Sequence, residues 1–355
     1  MNGAALLLAI LLSRGTAAAP AGLPRGFPAP RVPAENPMSG EKVELGRRLF
    51  YDPRLSGNGT QSCASCHEQA RAFTDGRSRA IGSTGATHPR AAMSLANAAY
   101  AASLTWSDPR VRGLEEQALV PLTNEHPVEM GVRRHEKEVL SRLRAEPVYR
   151  DLFPRAFPGE AEPITLRNAR RAIASFERTI VSGDSAYDRF VWRDDTAGMS
   201  EEARRGMSLF FSERLACGSC HGGLAFAGPA LWRGGPSVAP RLVNNGIAGG
   251  GRFKIPTLRN IAATAPYMHD GRYATLDEVL EHYARGGDRN PDRSRLIRGF
   301  SMTAQEKCDI VAFLESLTDE ELLRNPELSD PWKSPRYGRK GTSSPGAIGG
   351  AAAGP

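Results

Sequence analysis

Two five-residue stretches hold four of the chain's five cysteines: Cys-Ala-Ser-Cys-His from Cys63 to His67, and Cys-Gly-Ser-Cys-His from Cys217 to His221. Thiols at this spacing can close a disulfide, supply half a zinc site or form a redox pair, and a single copy would leave all three open. The histidine directly after each pair narrows the choice, because C-x-x-C-H is the attachment signature of c-type haem. The spacing has a physical reason: two thiols form thioethers with the vinyl groups on one porphyrin edge, and the next imidazole reaches the iron from one face. Two copies predict two covalent haem c groups, one on Cys63, Cys66 and His67 and one on Cys217, Cys220 and His221.

The surroundings repeat as well. "LGRRLFYDPRLSGNGTQSCASCH" and "RRGMSLFFSERLACGSCH" both run from a helix containing Leu-Phe (Leu49 and Phe50; Leu209 and Phe210) through a loop into the motif, which is an internal duplication. With 355 residues, 40% of them hydrophobic and 24% charged, the chain can bury a full core divided between two domains. From Thr165, apolar residues Leu166, Ala169, Ile173, Phe176 and Ile180 recur every three or four positions, which predicts a helix with one buried face that Gly183 ends. Thr303 and Glu306 read as a capping box opening a helix lined by Ile310, Phe313, Leu314 and Leu317. No alternating strand pattern of useful length occurs. The expected fold is mainly α, two cytochrome c-like haem domains with long loops. Cys308, inside the last helix, reads as a buried small hydrophobe.

The apolar run Ala4 to Leu12, followed by small residues Thr16 to Ala19, predicts a secretory signal over residues 1–19 and a periplasmic destination. It is too short to cross a bilayer and stay, so no membrane span is expected. The haem domains should then cover residues 20–182 and 183–332, with a disordered tail, rich in Gly, Ser, Pro and Ala, over 333–355. The net charge of +7 is spread as arginines among acids, which argues against a nucleic-acid partner.

Carrier or enzyme depends on the ligand opposite each histidine: a carrier wants both irons six-coordinate, an enzyme needs one open. The residues near the first motif offer His88 and Met93. Those after the second offer Met268, His269, His282, Tyr283 and Met302.

From Glu41 to Thr318 the chain resembles the bacterial dihaem cytochrome c peroxidases and, more closely, the MauG-like dihaem enzymes of the same fold. The resemblance rests on "GRRLFYDPRLS", "SCASCHEQARAFTDG", "LTWSDPRVRGLEEQALVPL", "HPVEMG", "CGSCHGG", "FKIPTLRNIAATAPYMHDG" and "TLDEVLEHYARGG". Within this group it is similar to the methanobactin-associated, MbnH-like branch, where "LTW", "LEEQALVP" and "PVEMG" follow in this order. The resemblance implies roles at matching positions. Ser83 stands where the peroxidases carry a histidine that closes the first haem, which implies an open first haem and a structural His88. Gln117 and Glu129, with Pro121, match the distal pocket. There a Glu can move peroxide's proton from the near oxygen to the far one, and partial burial would poise it near neutral. Trp106 matches the tryptophan between the haems. Thr264 and Pro266 match backbone donors to a calcium ion, whose usual asparagine is replaced here by Ala91, with Asn97 slightly later in the chain. Tyr283, eight residues after Thr275, stands where the peroxidases place a methionine ligand to the second haem iron; a phenolate lowers the haem potential, a thioether raises it. His282 lies about 100° round the helix from it.

The implied activity is an oxidoreductase that reacts with hydrogen peroxide at the open N-terminal haem and forms a bis-ferryl state. It would then oxidise an aromatic residue, a tryptophan, of a periplasmic protein substrate; in the MbnH-like branch that is an MbnP-like copper-binding protein. Two alternatives remain: a cytochrome c peroxidase drawing electrons from a small electron-donor cytochrome, and a non-catalytic dihaem electron-transfer protein.

Overall fold

The computed structural model describes residues 22–228, 242–247 and 249–333. The expected leader and the expected tail beyond Lys333 lie outside the described residues. Ten α-helices occur among the described residues. Those of the first half are α1 (Gly40–Tyr51), α2 (Leu114–Thr123), α3 (Glu136–Ala145), α4 (Pro147–Ala156) and α5 (Leu166–Glu177). The second half carries α6 (Ala186–Arg193), α7 (Glu201–Phe210), α8 (Leu276–Ala284), α9 (Ala304–Glu315) and α10 (Glu320–Arg324). A two-residue antiparallel pair, β1 (Leu242–Val243) and β2 (Phe253–Lys254), is the only sheet among these residues. The fold is mainly α.

The duplication read in the motifs extends to the helix packing. Capped by the Ser39 and Thr165 side chains, α1 and α5 bury Leu45, Leu49 and Phe50 against Ala169, Ile173 and Phe176. They meet at Gly46, where a Cβ would lie 1.9 Å from the Ala172 carbonyl oxygen, so only glycine permits the approach. In the second half α7 meets α9 in the same way: a Cβ on Gly206 would lie 1.8 Å from the Asp309 oxygen. The capping box of Thr303 and Glu306 opens α9 as expected.

A second pair of twins fixes the loops. Asn97 and Asn260 both have φ of 60°, and their N–H groups donate to Ile180 O at 2.9 Å and Leu317 O at 3.0 Å. The Asn97 carboxamide binds Ser182 through both its ends, donating to the carbonyl and accepting from the N–H, each at 2.9 Å. The Asn260 carboxamide donates to Ser182 Oγ at 2.9 Å and accepts from Asp319 N at 2.8 Å. Ser182 thus joins the two halves.

Two large apolar cores result, with a small third cluster of Ala98, Leu104, Leu114 and Ala174. One gathers α1 to α5 around Phe50, Phe73 and Phe176; the other gathers α7, α8 and α9 around Phe210, Phe226 and Phe313. Leu322 and Leu328, with Trp332 against them, cross over and pack into the first core.

Two expectations need correction. The helix from Thr165 ends at Glu177, before Ile180, because Thr179 Oγ1 donates to Phe176 O at 2.7 Å while the Ile180 carbonyl is taken by Asn97. Cys308 is exposed, not buried. It lies about 160° round α9 from Ile310, and the Asp309 carboxylate is buried in its place against Arg205 at 2.9 Å. No helix among the described residues is long and apolar enough to cross a membrane.

Candidate active site

Each C-x-x-C-H motif begins as one 3-10 turn, Cys63–Ser65 and Cys217–Ser219, and its histidine N–H closes back on the first cysteine's carbonyl, at 3.0 Å for His67 and 2.8 Å for His221. His67 Nδ1 lies 2.8 Å from Phe73 O, and His221 Nδ1 lies 3.1 Å from Phe226 O. A carbonyl oxygen only accepts, so Nδ1 carries the hydrogen in both rings and Nε2 keeps its lone pair. Both phenylalanines take left-handed backbone angles to aim those carbonyls, φ 62° and 49°. The turns are braced alike, by Ser94 Oγ on Ala72 O at 2.7 Å and by Thr257 Oγ1 on Ala225 O at 2.6 Å. Arg259, fully buried, adds a brace to the second turn, with its Nε on Leu224 O at 2.7 Å and a fork onto Asp188 at 2.7 and 2.8 Å.

Burial lowers the pKa of both histidines, which favours the neutral ring that can bind a metal. It pushes the Cys66 thiol up to about 11, that of Cys217 up to about 12, and that of Cys63 well above the usual thiol range. None of the four thiols is in a disulfide. Free thiols and an imidazole oriented through Nδ1 fit covalent haem at both motifs.

The second motif opens on a cavity of about 2030 Å³ lined by Cys217, Cys220, His221 and, from other elements, Met268, His269 and Tyr283. Tyr283 comes from the last turn of α8, which the Thr275 and Glu278 capping box starts. Burial raises its phenol well above the ordinary value, and a hydrogen bond from the Asn245 side chain opposes that rise. His282 is turned away: its Nε2 donates to Asn245 O at 3.0 Å and its Nδ1 is 3.1 Å from Tyr273 Oη. Met302 packs on the second core. Met268 Sδ accepts from Asn245 Nδ2 at 3.5 Å, and its backbone φ is 73°.

Near the first motif, Gln117 and Pro121 fall one turn apart on one face of α2, and Asn124 caps the helix at its C-terminus. The Met130 N–H donates to Pro121 O at 2.9 Å, so the chain returns along that face and brings Glu129 to Asn124, whose Nδ2 donates to Glu129 Oε1 at 3.0 Å. His88 Nε2 is 3.5 Å from the same oxygen. Burial acts to raise the Glu129 pKa, but the hydrogen bonds from His88 and Asn124 outweigh it, and the carboxyl ends below the ordinary carboxylate value. The expectation of a Glu poised near neutral is therefore corrected. Both partners were missed from sequence; Asn124 carried a signal, lying one helical turn beyond Pro121.

A model of the di-haem cytochrome c peroxidase family matches residues 40–196. The methylamine utilization protein MauG of Methylorubrum extorquens is 38% identical over 308 residues, covering 84% of this chain and 83% of the relative. This chain belongs to the dihaem cytochrome c peroxidase and MauG family. The cytochrome c551 peroxidase of Nitrosomonas europaea is 34% identical over 87% of this chain and 90% of that protein. Among solved structures, that of a MauG-like protein associated with microbial copper homeostasis superposes with a TM-score of 0.80 and 43% identity, covering 88% of this chain and 99% of that one.

As a member of the family the chain is a peroxide-dependent dihaem oxidoreductase, and membership implies two haem c. Trp106 lies where the two halves meet. Its Nε1 donates to Ala91 O at 2.9 Å, its own carbonyl accepts from Lys254 N at 2.8 Å, and its ring stands edge-on to His269 at 6.4 Å. Calcium fits less well. Thr264 and Pro266 line the cavity, but the Ala91 carbonyl is taken by Trp106 and the Asn97 carboxamide by Ser182. No group of three acidic, His or Cys side chains suited to a metal ion exists among the described residues. The residues that the resemblance assigns to calcium, Thr264 and Pro266, would offer it backbone carbonyl oxygens rather than side chains.

Proposed function

We propose that this member is of the MauG-like type, oxidising an aromatic residue of a partner protein at the expense of hydrogen peroxide. The observation that carries the reading is the division of labour on α8: the Tyr283 phenol lines the cavity of His221, Cys217 and Cys220, while both ring nitrogens of His282 are engaged elsewhere. Cys63, Cys66 and His67 would hold one haem, and Cys217, Cys220, His221 and Tyr283 the other. Bound there, the haems supply an open iron for peroxide on the His67 side and two centres between which its two oxidising equivalents are shared.

The chain's own residues do the rest. Glu129 takes the proton from the near oxygen of peroxide and returns it to the far one, so that water departs as the O–O bond breaks. Its lowered pKa keeps it ready to accept. Gln117 orients the peroxide, and Pro121 closes that wall. Trp106 carries electrons between the halves. One peroxide, two protons from solvent and two electrons become two waters, and the electrons come from the partner's aromatic side chain, a tryptophan on a periplasmic copper-binding protein in the resemblance to the MbnH-like branch. Residues 1–19 export the chain to the periplasm; 20–182 and 183–332 form the two haem-bearing units, except that Leu322, Leu328 and Trp332 pack into the first.

Met268 supports a second reading, a peroxidase fed by a small cytochrome, because its thioether lines the same cavity as Tyr283. The test is peroxide addition to the purified dihaem protein. A long-lived near-infrared absorption band supports the MauG-like reading. Rapid steady turnover with reduced cytochrome c, and no such band, supports the peroxidase.

A further inference from the structure

We propose that His88 is a positioning residue for Glu129, a role that rests on the reading of Glu129 as the group that moves peroxide's proton. The backbone brings the two side chains together. Residues 80–90 form a hairpin closed by His88 N–H on Ala80 O at 2.7 Å, Ala80 N–H on Arg90 O at 3.1 Å and Gly82 N–H on Ala86 O at 2.8 Å. Its tip docks directly on the segment carrying Glu129, through Ser83 N–H on Glu129 O at 2.7 Å. Asn58 Nδ2 holds the tip from the other side, on Ser83 O at 2.7 Å. The approach needs glycine: a Cβ on Gly82 would lie 1.8 Å from Val128 O. His88 is therefore built into a frame that includes the Glu129 backbone.

At the side chains, His88 Nε2 and Asn124 Nδ2 converge on one oxygen, Oε1, at 3.5 and 3.0 Å. An ionised carboxylate only accepts, so His88 presents a hydrogen on Nε2 to it. With Oε1 claimed twice, Oε2 is the oxygen left to accept and return a proton. Glu129 retains 30% of its side-chain exposure and has three rotors, so without these donors the carboxylate would swing toward solvent. The same hairpin carries Ser83, so one loop both withholds an iron ligand and supplies the donor that orients the acid.

The test uses the purified dihaem protein and its His88→Ala, His88→Gln, Glu129→Gln and His88→Ala/Glu129→Gln variants, read by stopped-flow reaction with hydrogen peroxide and by the resting optical and EPR spin state. His88→Ala is expected to slow the peroxide reaction about tenfold or more while the high-spin ferric signal stays as in wild type. His88→Gln, which keeps an N–H donor, should restore most of the rate, and His88→Ala should add nothing to Glu129→Gln, since it acts through that residue. His88→Leu, filling the space without a donor, repeats the test should the alanine variant lose haem. A wild-type rate in His88→Ala or His88→Leu, or losses that multiply in the double variant, would overturn the proposal. So would a high-spin signal that appears only when His88 is removed, which would make His88 an iron ligand. Wild-type rates in Glu129→Gln would instead sink the underlying assignment of Glu129; a slow Glu129→Gln beside a normal His88→Ala removes His88 alone.

Discussion

Tyr283 and His282 are neighbours on α8 and serve opposite surroundings: the phenol shares a cavity with His221, while the imidazole binds the Asn245 carbonyl at 3.0 Å and the Tyr273 hydroxyl at 3.1 Å. One residue of helix, a rotation of about 100°, separates a candidate ligand from a structural side chain.

Tyr283→Met replaces a hard anionic donor by a thioether. The reduction potential of the second haem should rise by at least about 60 mV, the equivalent of a tenfold change in a one-electron equilibrium, as read by potentiometric titration. The near-infrared band after peroxide should be lost. An unchanged potential would mean that Tyr283 does not bind the iron.

Glu129→Gln should slow the peroxide reaction by roughly 10²- to 10⁴-fold. The wild-type pH profile carries the sign of the shift: a base whose pKa is lowered works in its ionised form, so the rate should be flat through neutral pH. It should fall only on acidification below the ordinary carboxylate range. A fall beginning near pH 6 or 7 would contradict the geometry.

Much of this was legible in the sequence where the chemistry is local. Five residues suffice to specify a haem motif, and the periodic apolar positions of α5 and α9 announced their buried faces. Reading Cys308 as buried overlooked the phase of α9, which sets it opposite Ile310. What could not be read is contact between distant segments. His88 meets Glu129 only because Gly82 lets a hairpin lie against Val128, and Asn97 finds Ser182 across 85 positions of chain. The lowered Glu129 pKa was invisible for the same reason, since it depends on donors from two other segments.

Glu177 is buried, with Oε2 unpartnered, and burial pushes its carboxyl up to about 8. The folded chain keeps this proton through neutral pH, whereas the unfolded chain releases it near the ordinary carboxylate value. Stability should therefore fall as pH rises from about 5 to 8, by up to about 1.4 kcal/mol per pH unit. The loss is complete above the raised pKa. Urea unfolding of Glu177→Gln across this window should lack that fall.

Gly46→Ala and Gly206→Ala each drive a methyl group into a backbone carbonyl of the partner helix, Ala172 or Asp309. A loss of about 1–3 kcal/mol is expected for either, measured by denaturant unfolding. Because the two crossings are twins, the two losses should be similar.

Leu322, Leu328 and Trp332 complete the core that Leu45 and Phe50 begin, so the opening half of this protein is finished by its closing residues. That core cannot be complete until residues from beyond α9 have folded back onto α1 and α5. Those three residues lie more than a hundred positions beyond Cys220, so neither cysteine pair depends on them to be present in the chain.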